Sequence, residues 1–179
     1  MYMELLRETS RLKLPGLVEF QKQNLAQMLA CDDPTETGMP SKIIIFAHHR
    51  FVLEAAQEAV QAMNVGCILI HGGTSHKRRA ELFATYETHP KVRVAVLSIQ
   101  ACGTGLNITC ASHTYVWELL CDHRIHEQSE KRTHRIGAKS TCFIHYLTAE
   151  GTMDDAVWRS LNTKTQNAGM VLRDRHTAS

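Results

Sequence analysis

Gln128, Arg132 and Arg135 stand at i, i+4 and i+7 in the segment QSEKRTHRIG, a spacing that puts all three side chains on one face of a helix. Two guanidinium groups one turn apart can clamp a single anion. Arginine suits that task because it stays charged and presents a planar fork of donors matched to phosphate oxygens. The same spacing also fits a solvated helix in which Glu127 or Glu130 pairs with these arginines.

A second candidate lies in SIQACGTGLN, where Ser98 ends an apolar run and Gly103 and Gly105 follow. Glycines let a backbone approach a phosphate closely, and free N–H groups in such a loop can form an anion nest; a plain tight turn has the same pattern. The third is GGTSHKRR, in which Thr74 and Ser75 supply hydroxyls and Lys77, Arg78 and Arg79 supply charge at the start of a predicted helix. Hydroxyls, basic side chains and a helix N-terminus together make a grip for a phosphate backbone, while a solvated run of charge is the simpler alternative. Aromatic residues, 6% of the chain, are too sparse for base stacking to be the main mode of contact.

The elements that position these segments follow from periodicity. Short apolar runs at 43–47 (IIIFA), 67–71 (CILIH) and 92–98 (VRVAVLS) alternate with amphipathic stretches at 51–63 and 77–86. Such continuous runs are strands buried on both faces, which implies a parallel sheet covered by helices on both sides. Further strands are predicted at 114–117 and 142–147, a polar helix at 127–136 stopped by Gly137, and a last helix at 152–164. The expected fold is an open α/β sheet whose functional loops leave the carboxyl ends of the strands. Ahead of it, leucines at helical spacing over 4–30 predict two lead-in helices, the second opened by Pro15, and residues 32–41 (DDPTETGMPS) predict a mobile loop. The domain boundaries are therefore 1–41 for the helical lead-in and loop and 42–179 for the lobe.

Composition narrows the classes. With 179 residues, 44% hydrophobic and 21% charged, the chain suits one globular domain, and its net charge of +2 leaves any polyanion contact to local clusters. The longest apolar run is far short of the roughly 20 residues that span a bilayer, so no membrane partner is expected. Six cysteines without a Cys-x-x-Cys pair argue against a zinc ribbon or a disulfide scaffold. Among eleven histidines, Cys121, His123 and His126 form the tightest mixed cluster, with no fourth ligand in sight. An intracellular, monomeric protein fits these features.

Taken in order, KIIIFAHHR, HGGTSHKRR, LSIQACGTGLNIT and QSEKRTHRIG resemble motifs IV, IVa, V and VI of the C-terminal helicase lobe of the SWI/SNF family of DNA-dependent ATPases, in helicase superfamily two. FAHH, IHYLTAEGTMDDAVW and the lead-in LLRETSRLKLPGLVEF look most like its annealing-helicase, HepA-related branch. The resemblance implies a RecA-like second lobe. It also implies an ATP site shared with an N-terminal RecA-like lobe, with Arg132 and Arg135 as arginine fingers and Gln128 and Gly105 beside the nucleotide. It further implies DNA-backbone contacts at Thr74, Ser75, Arg79 and Ser98, duplex or branched DNA as partner, ATP and Mg2+ as cofactors of the two-lobed parent, and a nuclear role in DNA repair or chromatin remodelling.

Two positions depart from the family pattern: Cys121-Asp122-His123 stands where Trp-Asn-Pro is common, and Ala138 where a Gln often follows Arg-Ile-Gly. No Gly-x-x-x-x-Gly-Lys-[Ser/Thr] phosphate loop and no Asp-Glu-Ala-His-like metal motif occurs in these 179 residues. The chain alone is therefore expected to bind ATP weakly at best and not to hydrolyse it. That absence also supports a different reading, a non-catalytic nucleic-acid- or protein-binding module on a helicase-lobe fold, against which Gln128, Arg132 and Arg135 argue. An RNA-helicase lobe is the third reading, disfavoured by FAHH and EGTMDDAVW.

Overall fold

Strand β1 (Lys42–Ala47) is buried at every position, because its apolar run, IIIFA, lies at the centre of the sheet with helices on both sides and Lys42 at its start is itself buried. The computed structural model describes residues 2–30, 40–100, 110–120, 122, 126, 143–167 and 175–177. Around β1 the sheet adds β2 (Gly66–Ile70), β3 (Val92–Ser98), β4 (Ala111–Val116), β5 (Phe143–Thr148) and β6 (Arg175–Thr177), in the spatial order β2-β3-β1-β4-β5-β6. Every pairing is parallel. This is the RecA-like α/β architecture expected from the sequence.

Alternation along β1 divides the core. Ile43, Ile45 and Ala47 point to one side, where they meet Val52, Leu53, Ala56 and Val60 of α2 (Arg50–Gln61) and Leu17 and Leu25 of α1 (Tyr2–Ala30). Ile44 and Phe46 point to the other, against Phe83 and Tyr86 of α3 (His76–Thr88) and Val157, Trp158 and Leu161 of α4 (Met153–Asn167). Lys42, almost fully buried at the start of β1, donates through Nζ to the Tyr86 carbonyl and to that of His89, and so ties the end of α3 to the sheet.

The lead-in differs from expectation. α1 is one helix of 29 residues with Pro15 inside it, not two. Proline removes one helical hydrogen bond and crowds the preceding turn; here contacts on either side of it hold the helix through. Lys13 forms a buried ion pair with Asp154 at 2.7 Å, Ser10 donates to Glu118, and Leu17 is fully buried. The buried face of α1 runs through Leu6, Thr9, Ser10, Lys13, Leu17, Gln21 and Leu25, whereas Leu5 and Leu12, which the spacing of leucines singled out, are 46% and 73% exposed.

Elsewhere the differences are at strand ends. β4 begins at Ala111 rather than 114, since Lys42 and Ile43 pair with Ala111 and His113 and carry the ladder through a polar stretch. β6 has no apolar signature and is recognisable only by its backbone pairing with β5. The predicted helix at 127–136 and all but the last residues of the 32–41 loop lie outside the described residues.

Candidate nucleic-acid interface

Three adjacent strands, β2, β3 and β1, open at their carboxyl ends onto one groove. Its volume is about 460 Å3, and its lining includes His71, Gly72 and Gly73 after β2, Ser98 and Gln100 at the end of β3, His48 and Arg50 after β1, and Arg79 from α3. Parallel strands place such exits side by side, and the register sets Ala47 opposite Ser98. Two of the four residues singled out for DNA contact, Arg79 and Ser98, are thus brought together. Thr74 and Ser75 follow Gly73 directly but are not part of the lining.

Local hydrogen bonds account for the shape of the β2–α3 turn. The Thr74 hydroxyl oxygen accepts from the His71 N–H at 3.1 Å, and Thr74 N–H donates back to the His71 carbonyl at 3.0 Å. Ser75 is the N-cap of α3 and accepts from Arg78 N–H. Both hydroxyls keep their own hydrogen for an outside acceptor. Arg79 donates through Nε to the Thr74 carbonyl at 2.9 Å and through Nη2 to those of Gly72 and His71, so it fixes the turn as well as bringing charge to the groove. Gly73 N–H donates to His71 Nδ1 at 3.1 Å, which leaves the ring hydrogen of a neutral His71 on Nε2, as a donor.

Across the groove, a buried carboxylate organises the β1–α2 loop. Glu118 is 3% exposed; its Oε2 accepts from the backbone N–H of His48 at 2.6 Å and of His49 at 2.8 Å, and its Oε1 from His49 Nδ1 at 2.6 Å and from Ser10. Burial pushes its pKa up, but these hydrogen bonds, that from His49 foremost, outweigh burial and hold it below the ordinary value. His48, beside it, is held below the usual histidine value by burial and by the neighbouring His49, against the opposing pull of Glu118. Arg50 pairs through Nε with Glu54 at 2.7 Å on the exposed face of α2. Sequence reasoning used FAHHR only as a resemblance and missed His48, His49, Arg50 and Glu118; two histidines and an arginine directly after a buried strand were the available signal, and Glu118 gave none.

Gly105, Gln128, Arg132 and Arg135 lie outside the described residues, as do Cys121 and His123. His126 is fully buried and uses Nε2 against the backbone of Leu120 at 2.9 Å. Among the described residues no three His, Cys, Asp or Glu side chains are grouped to hold a metal ion, and no helix is long and apolar enough to cross a membrane.

The sequence profile of the helicase conserved C-terminal domain family matches residues 21–137. The chain is 44% identical over 134 residues to the DNA annealing helicase and endonuclease ZRANB3 of Homo sapiens, covering 75% of this chain and 12% of that protein. It is 39% identical over 132 residues to the SWI/SNF-related matrix-associated actin-dependent regulator of chromatin subfamily A-like protein 1 homolog of Caenorhabditis elegans, covering 74% of this chain and 19% of that one. It therefore spans less than a fifth of the length of these relatives. The C-terminal part of the Fun30 ATPase domain superposes with a TM-score of 0.66 at 18% identity, over 78% of this chain and 45% of that chain, a likeness of fold. With the profile covering well over half of its residues, the chain belongs to the helicase conserved C-terminal domain family, and its relatives are SWI/SNF-related and annealing-helicase proteins.

Proposed function

We propose that this chain is the second RecA-like lobe, residues 42–179 with the lead-in 1–41, of a nuclear SWI/SNF-type DNA translocase that couples ATP hydrolysis to movement along duplex or branched DNA. The observation that carries the reading is the groove at the carboxyl edge of β1, β2 and β3, which brings Arg79 and Ser98 together in a chain of the helicase family. Donors of this kind contact phosphates and position a duplex without reading its sequence. The names of the relatives, a DNA annealing helicase and a chromatin regulator, support DNA as the polyanion.

In this reading Arg132 and Arg135 are fingers reaching a nucleotide held mainly by an N-terminal lobe of the same polypeptide, with Gln128 and Gly105 beside it. ATP with Mg2+ supplies the transferable phosphoryl group. Charge stabilisation across such an interface contributes about 10³–10⁵ in rate in enzymes that use arginine fingers. In the two-lobed parent, a monomer in this proposal, Arg132→Ala and Arg135→Ala abolish DNA-stimulated hydrolysis while largely sparing nucleotide binding. Lost binding with normal turnover at saturation would count against the finger role. Tight, Mg2+-dependent ATP binding by the 179-residue chain alone would count against the two-lobe arrangement, and a parent with no DNA-stimulated hydrolysis would favour a non-catalytic binding module.

A further inference from the structure

β4 and β5 carry two histidines that meet across the strands, outside the groove described above. The register sets His113 opposite Phe143 and Tyr115 opposite His145, and alternation along each strand puts all four rings on one face of the sheet. His113 and His145 are therefore diagonal neighbours, and their imidazoles bridge the gap, with His113 Nδ1 3.1 Å from His145 Nε2. Both residues are half-buried. Each ring lies beside an aromatic one, His113 by Phe143 at 5.4 Å between centroids and His145 by Tyr115 at 4.8 Å. Phe20 of α1 abuts Tyr115 edge-on.

Two neutral imidazoles carry two hydrogens on four nitrogens. In the hydrogen bond one of those hydrogens lies between Nδ1 and Nε2. Moved through solvent to the far nitrogen of its own ring, it leaves two lone pairs facing one space, with no net proton released. Metal–imidazole bonds are about 2.0–2.1 Å long, so the 3.1 Å separation subtends roughly 100° at a shared ion, between octahedral and tetrahedral geometry. A turn of each ring about its Cβ–Cγ bond aims both lone pairs at that point. Burial holds His113 below the ordinary histidine value, which keeps its lone pair available at neutral pH. Imidazole nitrogens suit Zn2+, Cu2+ and Ni2+, whereas Mg2+ and Ca2+ take oxygen ligands. Among the described residues no third His, Cys, Asp or Glu joins the pair to complete a ligand set, so water fills the remaining positions.

We propose that His113 and His145 form a two-histidine site for a divalent late transition-metal ion, held through His113 Nδ1 and His145 Nε2. The ion acts as a cross-strand staple between β4 and β5, the two strands that in sequence flank the segment carrying Gln128, Arg132 and Arg135. Because it binds the paired strands and not the separated ones, it adds to the stability of the fold by linkage. The proposal does not depend on the DNA and ATP reading above.

The test is calorimetric titration of Ni2+ or Zn2+ into the 179-residue chain in a non-coordinating buffer at neutral pH. One equivalent is expected to bind saturably at micromolar concentration, and Mg2+ not at all. His113→Gln and His145→Gln are each expected to weaken binding by an order of magnitude or more, whereas His89→Gln, at the C-cap of α3, leaves it unchanged. Zn2+ is expected to raise the thermal midpoint of wild type and not that of the two site variants; circular dichroism confirms that each variant is folded. With one equivalent of Cu2+, the electron paramagnetic resonance spectrum of wild type is expected to show coupling to two imidazole nitrogens. A wild-type spectrum with one nitrogen or none overturns the proposal without recourse to any variant. Binding only at millimolar metal, or at full affinity in either site variant, overturns it as well and leaves the two rings joined by their hydrogen bond alone. None of these outcomes touches the function proposed above.

Discussion

Glu118 and His49 meet at 2.6 Å, carboxylate to Nδ1, with only 3% of Glu118 exposed. The contact joins the exit of β4, which leads toward the predicted finger segment, to the exit of β1, which lines the groove at the sheet edge.

Because Glu118 is held below its ordinary value of 4.5 in the folded chain, it binds a proton more readily when unfolded. Its contribution to stability is therefore complete above about pH 4.5 and is lost as the pH falls below that value toward the folded one. Urea denaturation across an acid pH series is expected to show Glu118→Gln less stable than wild type at neutral pH, with the difference narrowing on acidification. A constant difference would show that the carboxylate charge does not stabilise the fold.

Lys13 and Asp154 form a pair with side chains 1% and 2% exposed, and Asp154 also accepts from the Ala149 N–H at 3.0 Å. Removing one member leaves a buried charge without its partner, so Asp154→Ala is expected to cost about 3–5 kcal/mol. Lys13→Met combined with Asp154→Leu is expected to recover most of that loss. A double-mutant cycle in denaturant measures both, and additive effects would show that the pair is not coupled.

Arg79→Lys keeps the charge and loses the fork that reaches the carbonyls of Thr74, Gly72 and His71. The expected result is faster amide hydrogen exchange over the 71–75 turn and weaker duplex binding with a little-changed salt dependence. Arg79→Ala removes the charge too, and is expected to lower the log–log salt slope by about 0.9 for one lost phosphate contact. Parallel salt lines for wild type and the alanine variant would show that this side chain holds the turn and does not touch DNA.

Gly66 opens β2 against the Lys91 carbonyl, 2.5 Å from where a Cβ would stand. Gly66→Ala must push β2 away from the lead into β3, where Gly66 N–H donates to that same carbonyl. A loss of about 1–3 kcal/mol is expected from such overpacking, read as a lower thermal midpoint; an unchanged midpoint would mean that the strand gives way freely.

The core of the sheet was legible because IIIFA, and VRVAVLS apart from Arg93 and Ser98, are near-continuous apolar runs, which burial on both sides suits. What the sequence concealed has one physical cause: polar residues that are buried because a distant partner satisfies them. Thr9, Ser10 and Lys13 look like the solvated side of α1 until Glu118 and Asp154 are in place, and the exposed Leu5 and Leu12 look like its core. Pro15 was read as a helix start for the same reason, since nothing local reveals the contacts that carry the helix past it. At the groove, Ser98 and Arg79 were singled out by the family resemblance of segments that follow strands, whereas Glu118, a lone acid in VWELL, becomes significant only once β1 and β4 lie side by side.

α1 is about 43 Å long at 1.5 Å per residue for its 29 residues, and its polar contacts fall close together, Ser10 on Glu118 and Lys13 on Asp154. They act as a key in a keyway. A slip of the helix by one turn would bring Leu6 or Leu14 to the Glu118 carboxylate and Thr9 or Leu17 to that of Asp154, positions where no cation or matched donor set is on offer. A helix held in this way resists axial displacement by a detent rather than by a sliding apolar seam.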